Sequence, residues 1–225
     1  TVAPAHPPMY EQYRWLGWSR SQRLRRWIRH YDLLCAKLRR YDVVFLQREL
    51  FDDDSWDLEQ RFREASTALV LDIDDGIFLR HPAKFEKLAV MSDAVVAGNA
   101  LLAEMVRAYN PHVSVIPTTV DLERYTVGPA RAPSTRPVIG WSGTSGNLPE
   151  LQLVERSLRE LSSRVKLELH VISDRREPLE DLDFGETPIR FTHWYEQTEI
   201  ADLRAFDIGI MPLAETEWSR YKCGL

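Results

Sequence analysis

Apolar residues along this chain form short continuous runs that alternate with longer stretches where apolar positions recur every three or four residues. The short runs, such as "DVVFLQ" (42–47) and "ALVLDI" (68–73), are rich in Val, Ile and Phe and predict buried strands. The longer stretches predict helices. The other predicted strands are 93–98, 113–117, 137–141, 166–172, 188–191 and 206–212. The predicted helices are 20–40, 55–65, 83–91, 99–109, 147–163 and 196–205, with Ser55, Asn99 and Asn147 as candidate N-caps.

Regular alternation of strands and helices, with strands apolar throughout, indicates an α/β fold with a parallel sheet covered on both faces. The segment 126–137 contains three prolines and no apolar periodicity, so it is typical of a linker. We therefore predict two domains, residues 1–126 and 127–225. "TVAP" resembles the end of a strand without its start, and "KCGL" follows a predicted strand without the crossover helix that a parallel sheet needs. We therefore expect a fragment of a longer protein with both domains incomplete.

Composition narrows the class of protein. The 225 residues are 44% hydrophobic with a net charge of -5, which fits a globular protein and disfavours nucleic acid as a partner. The cysteines Cys35 and Cys223 lack metal-ligand spacing, so we expect neither a disulfide framework nor a zinc site. The chain offers no signal peptide and no apolar run long enough to span a bilayer, and we expect a cytoplasmic protein.

The predicted helix 20–40 is strongly basic. Its apolar residues Leu24, Trp27, Ile28, Tyr31, Leu34 and Leu38 recur at helical spacing, and arginines and lysines occupy the other positions. The simpler interpretation is that the apolar side packs on the core and the basic side faces solvent. The alternative is peripheral contact with anionic membrane lipid or a lipid-diphosphate acceptor.

Acidic residues follow the second strand in "LVLDIDDG" (69–76). Locally this resembles the first motif of haloacid-dehalogenase-like phosphatases, which implies Asp72 as nucleophile, Asp74 as general acid and Mg²⁺ as the neutralising cation. Against it, the motif is not on the first strand, Gly76 replaces the usual Thr or Val, and the later Lys and acidic pair are missing. The other interpretation is a polar rim on a cleft.

Two later stretches are candidates for binding an anion. "IGWSGTSGNLPEL" (139–151) predicts a strand, a turn spaced by Gly140, Gly143 and Gly146, and a helix whose N-terminus attracts anions. In "MPLAETEWSRYKCG" (211–224), Arg220 and Lys222 follow a strand and can stabilise a leaving diphosphate. Either stretch is also compatible with an ordinary turn or with solvated cations.

Six segments in order resemble the bacterial glycosyltransferases of the family-4 type, over residues 41–224. They are "YDVVFLQREL" (41–50), "LDIDDGIF" (71–78), "DAVVAGNALLA" (93–103), "VIPTTVDLERY" (115–125), "VIGWSGTSGNLPEL" (138–151) and "DIGIMPLAETEWSRYKCG" (207–224). The resemblance implies a GT-B fold of two Rossmann-like domains facing a cleft. It also implies sugar transfer from a nucleotide-diphosphate sugar to a glycan, lipid-linked or other acceptor in polysaccharide biosynthesis, with retention and without a required metal or cofactor.

The resemblance also implies roles for individual residues. The implied donor-binding residues are Gly143, Thr144, Ser145, His193, Trp194, Arg220 and Lys222. Asp74 and Asp75 are the implied catalytic residues at the cleft, and Arg48 and Glu49 are expected on the same acceptor-side rim.

The sequence departs from the family at one informative position. Tyr221 stands where the family has a glycine between the Arg and the Lys. The first Glu of the family's Glu-x₇-Glu pair would fall near Tyr221, and the second would lie beyond Leu225. A non-catalytic module that still binds a nucleotide sugar therefore remains an alternative, beside the Mg²⁺-dependent phosphatase.

Overall fold

The computed structural model describes residues 17–129 and 134–223, which divide into two compact α/β units. The first unit contains residues 17–119 and 217–223, and the second contains 120–129 and 134–216. The division near residue 120 falls close to the predicted boundary at 126, but residues 217–223 group with the first unit instead of the second. The predicted strand end "TVAP" lies outside the described residues.

The first unit is a parallel sheet packed against helices. Its strands are β1 (Val43–Gln47), β2 (Ala68–Ile73), β3 (Ala94–Ala97) and β4 (Val113–Val115), in the spatial order β1-β2-β3-β4. Its helices are α1 (Gly17–Arg39), α2 (Asp57–Glu64), α3 (Pro82–Met91) and α4 (Ala100–Val106). The register aligns Leu46 with Leu71 and Leu71 with Val95, which forms a buried apolar row across the sheet.

The apolar periodicity of the sequence therefore predicted the helices and strands of this unit well. Two other predictions, the Ser55 cap and full coverage of the sheet, are wrong. Asn99 caps α4 as predicted, because its side chain accepts a hydrogen bond from the N–H of Leu102 at 2.8 Å. Ser55 does not cap α2; its N–H donates to Asp53, and the helix begins two residues later. The sheet is not covered on both faces at edge strand β1, where Val43 and Phe45 are exposed.

The side of helix α1 that packs on the first unit is not the apolar side that the simpler interpretation of its sequence predicted. The residues that it buries are Arg29, Leu33 and Ala36, and Leu33 packs with Phe51 and Leu58. The apolar residues Trp27 and Leu38 are instead 69% and 76% exposed. Among the described residues, no helix has the length and apolar character needed to cross a membrane.

A buried ion pair joins α2 to α3 in the first unit. The Lys84 ammonium lies 3.0 Å from the Glu59 carboxylate, and both side chains are 1% exposed. Lys84 also donates to the Phe51 carbonyl at 2.8 Å, and Glu59 accepts the N–H of Leu50 at 3.0 Å. Because each charge is paired and hydrogen-bonded, burial is tolerated, and the loop after β1 is fixed to both helices.

The second unit is also a parallel sheet with helices. Its strands are β5 (Val138–Ser142), β6 (Glu168–Ser173), β7 (Ile189–His193) and β8 (Ile208–Gly209), in the order β7-β6-β5-β8. Its helices are α5 (Gln152–Ser162) and α6 (Glu199–Leu203). The core is formed around Trp141, Leu148, Leu169 and Phe184.

The predicted helix 147–163 begins differently. A 3₁₀ helix, Ser145–Leu151, precedes α5, and Asn147 lies inside it, where its N–H donates to the Thr144 carbonyl. Pro149 has no N–H to form an α-helical bond, which favours this tighter turn. The prediction that Asn147 caps an α-helix is therefore wrong.

The glycine at 140 is required by packing. A Cβ atom at Gly140 would overlap the ring of Phe206, which lies against this strand. Gly209, its partner in strand β8, has open space at the same position, with nothing within 4 Å.

We predict that Gly140→Ala destabilises the second unit by about 1–3 kcal/mol, because the added methyl group overpacks the space occupied by Phe206. Urea unfolding followed by circular dichroism measures the loss. Gly209→Ala is the matched control and should change stability far less. Equal effects of the two substitutions would contradict the packing explanation.

Candidate functional site

Polar side chains of the first unit gather at the carboxyl ends of β1 and β2. Asp72 is the last residue but one of β2, Asp74 and Asp75 follow that strand, and Arg48 follows β1. In open parallel sheets this edge is where ligands bind. We refer to Arg48, Asp72, Asp74 and Asp75 as the strand-end cluster.

Arg48 holds the strand-end cluster together. Its Nε and Nη2 donate to the two carboxylate oxygens of Asp74 at 2.5 and 2.7 Å, and Nη2 lies 3.1 Å from an Asp75 oxygen. Its backbone N–H donates to the Asp72 carbonyl at 2.8 Å. The hydrogen bond to Asp74 raises the pKa of the Arg48 guanidinium, so the arginine remains charged.

The backbone at Arg48 adopts an unfavourable conformation to reach this position. Its φ of 56° lies in the left-handed region, which costs residues with a Cβ about 1–2 kcal/mol. Such conformations persist only when surrounding contacts determine them, and they are concentrated at functional sites.

The two aspartates after β2 differ in their charge compensation. Both oxygens of Asp74 accept from Arg48, whereas Asp75 has one longer contact. Burial raises the pKa of the Asp75 carboxyl above its ordinary value, against the opposing charges of Arg48 and Lys222. Burial, followed by the charge of Asp74, also raises the pKa of Asp72. Of the two aspartates after β2, Asp75 therefore has more capacity left to interact with a ligand.

The geometry disfavours the phosphatase hypothesis. That mechanism needs Asp74 to donate a proton as the general acid, yet both carboxylate oxygens of Asp74 accept hydrogen bonds from the Arg48 guanidinium. Within residues 17–129 and 134–223, no group of three or more His, Cys, Asp or Glu side chains is arranged to hold a metal ion. These residues do not fit a Mg²⁺ site.

Glu49 directly follows Arg48 in the chain and acts electrostatically on the Arg48 guanidinium. Its side chain lines a cavity of about 10 Å³ with Ile77, His81, Lys84 and Phe85, a space about the size of one water molecule. One carboxylate oxygen of Glu49 is buried without a hydrogen-bond partner among the described residues.

Residues 217–223, with the short helix α7 (Glu217–Arg220), pack onto the first unit. The Arg80 guanidinium lies 4.6 Å from the Trp218 ring, and Tyr221 meets the Phe78 ring edge-to-face at 4.8 Å. Asn99 donates to the Tyr221 carbonyl at 3.1 Å. Lys222 acts electrostatically on Asp75. Arg220 and Lys222 therefore belong to a different unit from the other predicted donor residues.

The second unit brings Gly143, Thr144, Ser145, His193 and Trp194 to the carboxyl edge of its own sheet. Gly143 donates to the Ile172 carbonyl at 3.1 Å, and Trp194 donates to the Ser173 carbonyl at 2.9 Å. Thr144 and His193 are exposed. His193 Nδ1 is 3.0 Å from the Trp194 carbonyl, an acceptor, so Nδ1 carries a proton and the neutral ring has Nε2 as its acceptor.

A charged pair, Asp174 and Arg175, lies at the Ser145 turn and was not predicted from the sequence. The Ser145 N–H, predicted to face a diphosphate, donates instead to Asp174 at 2.6 Å, and the Ser145 hydroxyl donates to the same carboxylate at 3.1 Å. This backbone hydrogen bond lowers the pKa of Asp174. Arg175 Nε lies 3.2 Å from the Ser145 hydroxyl. Asp174 and Arg175 directly follow β6. The same position, directly after a strand, identified Asp74, Asp75 and Arg48 as candidates in the first unit.

The left-handed backbone at Arg48 leads to a stability prediction. Arg48→Ala and Arg48→Gly both remove the guanidinium, but glycine adopts a positive φ without steric cost. We expect Arg48→Gly to be about 1 kcal/mol more stable than Arg48→Ala in chemical unfolding. At Arg107, where φ is -59°, the alanine variant should be the more stable. If the alanine variant were the more stable one at both positions, or the glycine variant at both, the backbone strain at Arg48 would be refuted.

The raised pKa of Asp75 leads to a pH prediction. A carboxyl with a raised pKa in the folded state loses stability as pH rises from its unfolded-state pKa through its folded-state pKa. Asp75→Asn should therefore be more stable than the wild type near neutral pH, with the gain disappearing below the ordinary aspartate range. Unfolding across pH measures this, with exposed Asp181→Asn as the control. A gain that persists in acid would contradict the burial explanation.

Comparisons with known proteins were made on sequence and on structure. No protein-family model and no curated protein sequence matches this chain. Solved structures do match. The structure of OtsA without ligand has a TM-score of 0.57 at 14% identity, covering 80% of this chain and 55% of the OtsA chain.

Two further structures match similarly. One is described as trehalose-6-phosphate from E. coli bound with UDP-2-fluoro glucose, with a TM-score of 0.56 at 14% identity and coverage of 80% and 55%. The other is trehalose-6-phosphate synthase OtsA, with a TM-score of 0.53 at 13% identity and coverage of 76% and 51%. The chain thus spans about half the length of the solved chains that it matches. It shares its fold, α/β with Rossmann-like units of parallel sheet and helices, with part of each of these solved chains.

Proposed function

We propose that this chain is part of a glycosyltransferase that moves a sugar from a nucleotide-diphosphate sugar to an acceptor hydroxyl. The observation that carries the proposal is the fold likeness to trehalose-6-phosphate synthase structures, which extends over 76–80% of the chain. One such structure is described as bound with UDP-2-fluoro glucose, which is why a nucleotide-diphosphate sugar is the proposed donor.

In the proposed reaction, the bond between the sugar and the diphosphate breaks, the acceptor oxygen bonds to the sugar, and the nucleoside diphosphate leaves with the proton of the acceptor hydroxyl. A related structure is described in terms of glycosyl transfer with retention by trehalose-6-phosphate synthase, and we extend retention to this chain as part of the proposal. The proposed acceptor is a glycan or a lipid-linked sugar. The reaction as proposed uses no cofactor or resident metal, since side-chain cations can neutralise the diphosphate.

The donor belongs to the second unit in this proposal. Thr144 and His193 are exposed at the carboxyl edge of its sheet, and His193 offers an acceptor nitrogen to a donor hydroxyl. Arg175 is the cation beside the Ser145 turn and takes the role of contacting the diphosphate. A bound diphosphate would compete with Asp174 for the Ser145 N–H.

The acceptor belongs to the strand-end cluster of the first unit. Asp75 is less compensated by Arg48 than Asp74 is, and a raised pKa brings a carboxylate closer to accepting a proton. We assign Asp75 the role of accepting a hydrogen bond from the acceptor hydroxyl. Asp74 and Arg48 have the role of positioning Asp75.

Two observations favour a second candidate, a module that binds a nucleotide without transferring sugar. Tyr221 packs on Phe78, at the position where the resemblance implies a glycine. Asp174 places a negative charge at the turn expected to bind a diphosphate. Saturable nucleotide binding without nucleoside diphosphate release from any donor would favour this candidate.

The donor role is tested by nucleotide binding to the whole chain. We expect UDP, or another member of a panel with ADP, GDP and dTDP, to bind saturably and to shift the amide signals of residues 143–146 and 193–195. Arg175→Gln should weaken binding about tenfold or more, because it removes a charged hydrogen bond. Arg164→Gln, an exposed residue of the same unit, is the matched control.

Absence of saturable binding across the panel would refute the proposal, as would equal loss in the two arginine variants. Asp75→Asn should leave nucleotide binding unchanged and lower nucleoside diphosphate release in the presence of acceptor sugars. Normal release by Asp75→Asn would remove Asp75 from the reaction without affecting the donor assignment.

A further inference from the structure

Helix α1 carries an apolar stripe that points away from the protein. Leu24, Trp27, Tyr31, Leu34 and Leu38 form this stripe, which we call the outer stripe. Their exposed fractions are 39%, 69%, 59%, 53% and 76% in the same order. The residues follow one another at spacings of three and four, so they lie along one side of the helix. The buried residues Arg29, Leu33 and Ala36 lie on the opposite side.

Single exposed apolar residues are common on protein surfaces, but five in one row are not. The row includes the large aromatic side chains of Trp27 and Tyr31. Packing of α1 on its own unit does not account for the row, because Leu33 and Ala36 supply that contact. The outer stripe is therefore a surface that favours contact with something apolar.

Basic residues lie within the outer stripe and along one border of it. Arg20, Arg23 and Lys37 are exposed, and no ion pair joins them to a carboxylate in the part of the chain that the structure describes. At 100° per residue, Arg20 lies within the stripe, and Arg23 and Lys37 lie along one border. Asp32 is the sole acidic residue in the sequence of α1, and it pairs with Arg29 at 2.6 Å. The helix is thus locally basic in a chain with a net charge of -5.

We propose that α1 docks on an anionic lipid surface, lying in the plane of the membrane. The outer stripe would enter the boundary between headgroups and acyl chains, and Arg20, Arg23 and Lys37 would contact lipid phosphates. Trp27 and Tyr31 suit this depth because each combines an apolar ring with a polar group. This inference does not depend on the transferase proposal.

Charge distinguishes lipid from the other occupants of such a surface. A second copy of the chain packed stripe to stripe with its helix antiparallel, around a two-fold axis, would bring two basic borders together, and like charges at an interface are unfavourable. An anionic membrane provides both the apolar layer and the opposite charge.

The test is sedimentation of the 225-residue chain with phosphatidylcholine vesicles, with and without phosphatidylglycerol. We expect binding to the anionic vesicles that weakens in high salt, and little binding to neutral vesicles. Arg23→Gln and Lys37→Gln should each lower the partition coefficient about fivefold. Leu38→Ser should lower it about tenfold, since it removes exposed apolar surface from the stripe.

Matched substitutions in the second unit are the controls. Arg164→Gln makes the same charge change, and Leu153→Ser removes an apolar residue that is 54% exposed on α5. Both controls should bind as the wild type does. Circular dichroism and thermal unfolding verify that every variant is folded, which exposed positions should permit.

Three results would overturn the proposal. The first is no binding to anionic vesicles at low salt. The second is equal binding to neutral and anionic vesicles, or equal losses in the control variants, which would indicate non-specific adsorption. The third is a dimer, detected by light scattering, that Leu38→Ser converts to a monomer while vesicle binding is absent; the stripe would then be an interface between copies.

Discussion

The buried ion pair between Lys84 and Glu59 is the interaction on which the first unit depends. Removing either partner alone would leave an unpaired buried charge, at a cost of about 3–5 kcal/mol. Its consequences extend beyond stability, because Lys84 also binds the Phe51 carbonyl and Glu59 binds the Leu50 N–H. These bonds fix the chain just after Arg48. That constraint explains how Arg48 can keep a left-handed backbone and still direct its guanidinium onto two carboxylates.

The carboxylate charges at the two sheet edges are compensated in different ways. In the first unit, one guanidinium is shared by Asp74 and Asp75 and leaves the second acid incompletely compensated. In the second unit, Asp174 is compensated by a backbone N–H and a hydroxyl of Ser145, and its pKa is lowered. Burial without full compensation raises the pKa of a carboxyl, and hydrogen bonds to its charged form lower it. The first edge therefore holds the more reactive acid.

Sequence patterns predicted the features that depend on residues close to one another in the sequence. Continuous apolar runs located β2 and β3, Asn99 was identified as a cap, and the aspartates after β2 were placed at the carboxyl edge. Features that depend on distant partners were not predictable. Arg48 was expected on the same rim as Asp74, but the paired hydrogen bonds that join them across 26 residues were not. Nothing near Ser145 in sequence points to Asp174. Periodicity showed that α1 is amphipathic but not which side packs, because Leu33 and Ala36 suffice to fill the contact with Phe51 and Leu58.

Asn99 bonds to a carbonyl 122 residues later in the chain, and a side chain at Gly98 would collide with Cys223. This has a consequence for the order of events during synthesis on the ribosome. The sheet of the first unit leaves the ribosome early, yet the residues that cover its edge near Asn99 are translated only after the whole second unit. During that interval the strand ends remain uncovered, and contacts of such long sequence separation form slowly. Completion of the first unit therefore waits for residues that are translated after the second unit.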